Sequence, residues 1–161
     1  MYKITCSCCG EESLEVKEVQ TDIPKFGKLV IISMLCSKCG YRFNDIIPLE
    51  YKGPSKIEYK VKELKDLSAK VIRSKTSKIT IPELGLELLP GPRAEAFITN
   101  IEGVLDRFLS IAEYLYDTSR GIIKKRALEA INKIKLAMDG KIEFTLIIED
   151  KYGNSAIIPP D

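Results

Sequence analysis

Hydrophobic and polar positions follow two different periods along this chain, and the change from one to the other outlines its organisation. LEVKEV at 14–19 and KLVIISML at 28–35 are β-branched, apolar runs separated by the breaker IPKFG at 23–27, which predicts two strands. KIEYKV at 56–61 alternates strictly, with Ile57, Tyr59 and Val61 on one face and lysines with Glu58 on the other, as a half-buried strand does. AKVIRS at 69–74, KITI at 78–81, FTLIIED at 144–150 and the AII that follows the KYGNS turn at 151–155 are further strands. Between them the period lengthens. Ile101, Val104, Leu105, Phe108, Ala112 and Leu115 fall on one helical face behind a T-x-x-E capping box at Thr99 to Glu102. Arg120-Gly121 punctuates the pattern. Ile123, Ala127, Ile131, Ile134 and Met138 then continue in helical register up to Asp139-Gly140.

These elements predict a mainly β (α+β) protein in which a helical hairpin at about 100–139 decorates a β domain. The hairpin's first arm is mainly acidic and its second mainly basic, which suits antiparallel packing, and KKR at 124–126 reads as a solvated or intra-hairpin charge run. Within IPELGLELLPGP at 81–92, Glu83 and Glu87 read as solvent-facing residues of one strand, with Leu84, Leu86 and Leu88 turned inward. Strand rise would set the two acids roughly 13 Å apart, too far for a coupled acid–base pair. Pro90, Gly91 and Pro92 force a loop after them.

The chain has 161 residues, room for one ordinary domain or two small ones, with 45% hydrophobic and 30% charged side chains, a composition that folds. Its start, MYKITCSCCG, lacks the apolar core of a secretory signal, and LVIISML at 29–35 is too short to span a bilayer, so a cytoplasmic location is expected. The chain holds no histidine. That removes Ser-His-Asp triads, Cys-His pairs, HExxH zinc hydrolases, two-His-one-carboxylate iron sites and the histidine-held metals of cupin enzymes. A non-enzymatic role is expected. The net charge of +2 is distributed in alternating basic and acidic blocks, which neutralise one another more readily than they build one cationic face, and this weakens a nucleic-acid reading.

There are five cysteines, and the unit CxxCG occurs twice, as Cys6, Cys9, Gly10 and as Cys36, Cys39, Gly40. Each turn brings two thiolates to one point, and the glycine lets the chain bend away. Cys8 competes with Cys9 on proximity, but only the Cys6/Cys9 choice reproduces the spacing of the second unit. Four thiolates suit one structural Zn²⁺, with rubredoxin-like iron as the rival. A segment of about 50 residues buries little apolar surface, whereas a structural zinc contributes on the order of 10 kcal/mol to folding. Residues 1–52 therefore read as a four-cysteine zinc ribbon and 53–161 as the β domain. A thioredoxin-like redox motif would sit in a βαβ context and need no second pair.

The chain as a whole resembles the ZPR-type zinc-finger family, through CSCCGEE, the stretch from Ile23 to Asp45, IPELGLELLPGP, the IEG at 101–103 and the EDKYGNS turn. Ser7 and Cys8 stand where the family usually has Pro-x. The resemblance implies a zinc ribbon followed by a double-stranded β-helix (jelly-roll-like) domain with a helical hairpin insertion, and Cys6, Cys9, Cys36 and Cys39 as ligands. It also implies a protein-binding role, since eukaryotic relatives bind translation elongation factor one-alpha, act in its folding and associate with growth-factor receptor tails. Those relatives carry two tandem modules; this chain has one, like the archaeal branch. The expected function is an adaptor or folding factor for that GTPase, with no membrane or small-molecule substrate. The competing expectation is a nucleic-acid-binding ribbon using Lys38, Tyr41, Arg42 and Phe43 beside the second knuckle.

Overall fold

A computed structural model describes residues 1–161. The N-terminal portion is a four-stranded antiparallel sheet of β1 (Tyr2–Ile4), β2 (Leu14–Ile23), β3 (Gly27–Cys36) and β4 (Arg42–Pro48), paired in chain order. The β2–β3 hairpin is its spine, in register from Leu14 opposite Cys36 to Ile23 opposite Gly27. The predicted breaker at 23–27 is its turn, tightened by the Phe26 amide donating to the Ile23 carbonyl.

Beyond Gly53 come β5 (Ser55–Val61), β6 (Lys70–Arg73), β7 (Ser77–Ile81), β8 (Leu86–Leu88) and β9 (Phe97–Asn100), then helices α1 (Ile101–Thr118) and α2 (Gly121–Met138), and finally β10 (Phe144–Asp150) and β11 (Ala156–Ile158). They form two further antiparallel sheets, ordered β5-β10-β7-β8 and β11-β6-β9. Ile57, Ile148, Ile79 and Leu88 are successive register partners, so one apolar row crosses the larger sheet. The fold is mostly β with two helices: a jelly-roll domain with a helical insertion follows the cysteine-bearing sheet. Neither helix is long and apolar enough to cross a membrane.

The main core joins Val61, Ile79, Phe144, Leu146 and Ile148 of one sheet to Val71 and Phe97 of the other. Ile101, Val104, Leu105, Phe108 and Ile134 from the base of the helical hairpin complete it. The hairpin is thus more than a decoration, because its base is core. Its arms meet through apolar side chains. No ion pair joins them despite their opposite charge, and the only cationic contact between them is Lys124 above the Tyr116 ring at 4.5 Å.

Two local readings are corrected. The α1 cap is Asn100, whose side chain accepts from the Gly103 amide at 2.8 Å, one residue later than the capping box placed it. Thr99 is still paired in β9, which runs directly into the helix. Residues 81–88 are not one strand either. Pro82–Leu84 form a 3-10 turn that ends at Gly85, whose φ of +65° breaks the extended chain before β8. Glu83 therefore turns away to accept from the Thr145 amide at 3.0 Å, while Glu87 pairs with Lys78 at 2.5 Å. The two acids remain unconnected, for a different reason from the one strand rise supplied.

A second cluster bridges the two portions of the chain. Ile23, Phe26, Leu29 and Ile46, at the turn end of the first sheet, bury themselves against Ile72 and Ala96. Lys75 reaches across to Asp45 at 2.8 Å, and Lys52 lies over the Phe26 ring at 3.9 Å. The Gly153 turn closes on the connecting segment so tightly that a Cβ on Gly153 would lie 2.0 Å from the Gly53 carbonyl oxygen.

Candidate metal centre

At the opposite end of the β2–β3 hairpin, the two CxxCG units fold into the same turn. In each, the glycine amide donates to the first cysteine's carbonyl, Gly10 to Cys6 at 2.8 Å and Gly40 to Cys36 at 3.0 Å. Each first cysteine's amide donates to a carbonyl five residues on, Cys6 to Glu11 and Cys36 to Tyr41, both at 2.8 Å. Gly10 and Gly40 have φ of +75° and +76°, a left-handed conformation that a side chain would strain. Repeated sequence has become repeated geometry. The extended pairing of Leu14 with Cys36 then sets the turns face to face.

Four sulfurs converge there. The Sγ atoms of Cys6, Cys9, Cys36 and Cys39 all lie within 4.8 Å of one another, with Cys6 to Cys39 and Cys9 to Cys36 both at 3.7 Å. Zinc held by thiolates at about 2.3 Å in a tetrahedron requires sulfurs about 3.8 Å apart, so these edges fit the ion. They are far too long for disulfides, and all five cysteines are free thiols. Cys6 and Cys36 are buried, while Cys9 and Cys39 lie on the solvent side. The four cysteines are positioned to bind one zinc ion.

The surrounding hydrogen bonds suit thiolates. The Cys8 amide points at Cys6 Sγ and the Cys39 amide at Cys36 Sγ, each at 3.4 Å, as donors that stabilise negative sulfur. Ser13 Oγ lies 3.1 Å from Cys36 Sγ, and the Ser13 carbonyl accepts from the Ser37 amide, so this serine both touches the cage and ties the two knuckles together. Sequence reasoning missed Ser13, which stands three residues outside the CxxCG repeat and carries no signal of its own. Cys8 contributes its amide, and its exposed side chain lies outside the sulfur cluster.

Four thiols this close cannot all ionise without a cation. The Ser13 hydroxyl and the Cys39 and Lys38 amides lower Cys36 to about 6, against the effect of burial. The Tyr41 amide pulls Cys39 the same way, but hydrogen bonds with Cys36, Cys9 and Cys6, together with burial, raise it to about 12. A divalent ion removes that conflict by making all four sulfurs thiolates, with release of protons.

Two of the side chains that a basic face would use already have partners within the protein. Lys38 of the second knuckle is paired with Glu11 of the first at 2.6 Å, and Phe43 lies beneath the Lys75 ammonium at 5.2 Å. Tyr41 and Arg42 follow the second turn directly, and the Arg42 side chain is exposed.

Comparison with known proteins agrees with this geometry. Residues 1–49 match the model of the ZPR1 zinc-finger domain, and residues 65–161 that of the ZPR1 jelly-roll domain. A ZPR1-like protein of Methanocaldococcus jannaschii is 41% identical over 160 residues, covering 98% of this chain and 81% of the relative. A Pyrococcus horikoshii counterpart is 38% identical over 155 residues, covering 94% and 70%. The zinc finger chaperone zpr1 of Schizosaccharomyces pombe is 31% identical over 169 residues, covering 96% of this chain but 35% of the relative. Members of the group are thus named as zinc-finger proteins or a chaperone, not as enzymes. With both domain models matched in order along one polypeptide, and the four sulfurs set for one ion, the chain belongs to the ZPR1 zinc-finger family.

Proposed function

We propose that this zinc-binding module is a non-enzymatic adaptor or folding factor for the translation elongation factor one-alpha GTPase, acting in the cytoplasm. The observation that carries the reading is the far end of the helical hairpin. There Tyr114, Ile122 and Ile123 are 67%, 60% and 53% exposed, and Ile111 and Leu128 on the same two helices are exposed as well. Large apolar side chains left exposed on both arms of an otherwise charged hairpin suit a protein partner. Four sulfurs around one zinc leave it no open position for substrate, which supports a structural ion. The fission yeast relative's name, a chaperone, supports the folding role, and the partner comes from the family resemblance.

Affinity capture from the organism's own lysate tests this. The GTPase is expected to be enriched with the wild-type chain and lost with Ile122→Asp/Ile123→Asp. Recovery of ribosomal RNA or DNA with no enriched GTPase overturns it in favour of the nucleic-acid-binding ribbon, and binding that weakens steeply with salt would mark that alternative.

A further inference from the structure

On the jelly roll, apart from both the sulfur cluster and the hairpin end, four separate segments line an open cleft of about 730 Å³: residues 54–56, 75–76, 90–92 and 149–152. Two of the sequence features left unexplained by the metal centre, LLPGP and EDKYGNS, meet here.

The cleft is built rigidly. Asp150, 1% exposed, accepts from Thr76 Oγ1 and Ser155 Oγ at 2.8 Å and from the Tyr152 and Asn154 amides at 3.0 and 3.2 Å. Opposite it, the buried Arg73 guanidinium donates to the Leu89 carbonyl at 2.8 Å and the Glu95 carbonyl at 2.6 Å, and the Gly91 amide donates to the Lys75 carbonyl at 3.0 Å. Both walls are thus held in place, and a preformed surface spares a ligand the cost of ordering it.

The chemistry presented is specific. Pro54, Pro90, Pro92 and the half-exposed Tyr152 ring make a firm wall, because each proline ring fixes its own backbone angle. Lys56, Lys75 and Lys151 stand among them. Lys75 is taken by Asp45, whereas Lys151 meets only the Tyr152 ring, at 5.1 Å, and Lys56 reaches Glu58 at 3.8 Å in an exposed pairing of little strength. Of the acids in the lining, Asp150 is consumed by its four hydrogen bonds, and Glu149 stands in register between Lys56 and Lys78. The turn amides are occupied by Asp150, so no nest of free N–H groups is left to cradle a phosphate. Lys151, which has no carboxylate partner, and Lys56, held only in a weak exposed pairing, set ammonium groups beside a proline and tyrosine wall and so favour carboxylates carried on an extended chain.

We propose that this cleft binds a short acidic peptide segment, with its carboxylates on Lys56 and Lys151 and its backbone along the proline and tyrosine wall. The site is independent of the partner named above. Random dodecapeptides displayed on phage and selected against the zinc-loaded full chain are expected to become rich in Asp and Glu. The strongest of them, titrated into isotope-labelled protein, shifts the amide resonances of 55–56, 75–76 and 149–152. Lys56→Glu/Lys151→Glu, two changes at exposed side chains, keeps its zinc and weakens that peptide about tenfold or more. The site is overturned by a selection that yields no acidic peptide, by shifts elsewhere, by full affinity in the double variant, or by tripolyphosphate occupying the cleft more tightly than any peptide. Capture of the GTPase by that double variant separates failure here from failure of the partner assignment.

Discussion

Cys8 and Cys9 are adjacent thiols with opposite fates. Cys9 Sγ sits 3.7 Å from Cys36 Sγ, whereas Cys8 turns its amide toward Cys6 and leaves its sulfur outside the cluster. Cys8→Ser is therefore expected to retain one zinc per chain, while Cys6→Ser and Cys9→Ser lose the ion or fail to fold; elemental analysis of the purified proteins reads this directly. This choice was legible in the sequence because only one pairing repeats the unit CxxCG. Ser13 was not, because its contact with Cys36 arises from the β2–β3 register, which no local spacing encodes. The same limit applies to Arg73. A guanidinium 1% exposed, whose two terminal nitrogens donate to the carbonyls of Ser77, Leu89 and Glu95, reads in sequence as an ordinary strand residue.

At the scale of elements, the long periodic segments declared themselves, and the misreadings fall where tertiary partners replace local pattern. β4 reads RFNDIIP, without alternation, because its buried Asp45 is matched by Lys75 from the other portion of the chain. β1 is too short to show a period, and β9 passes into α1 with no intervening turn. The break at Gly85 was hidden by an apolar alternation that continues through it. The β2–β3 hairpin also has unequal ends. Its knuckle end relies on the sulfur cage and a small cluster of Cys6, Leu14 and Cys36, while its turn end is buried against Ile72 and Ala96. Chelation of zinc is accordingly expected to speed amide exchange at residues 4–16 and 34–42 by orders of magnitude and to leave 23–30 and the jelly roll protected, as hydrogen exchange with mass spectrometry would resolve. Uniform exchange throughout the chain would contradict this division.

For the molecule as a whole, the Gly153 turn packs the jelly roll tightly against the segment leading out of the first sheet. Gly153→Ala adds a methyl 2.0 Å from the Gly53 oxygen at a φ of +68°, and is expected to lower stability by about 2 kcal/mol in urea unfolding. Gly91→Ala, where a Cβ meets nothing within 4 Å, should stay within about 0.5 kcal/mol of wild type. Equal effects of the two changes would remove the turn's role as a clamp. The presence of a zinc-bearing sheet and a β domain could be read from residue patterns; their shared cluster could not, because Ile23, Phe26 and Ile72 lie in segments that each look complete alone. That cluster has a mechanical corollary. With metal bound, the long hairpin is a cantilever rooted near its turn, its free end stiffened by the sulfur cage; without metal that free end slackens, and the knuckles sweep the widest arc. Contacts a partner makes near the knuckles would then fade as metal is withdrawn while those near the root persist, so that metal supply grades the grip on a partner instead of switching it.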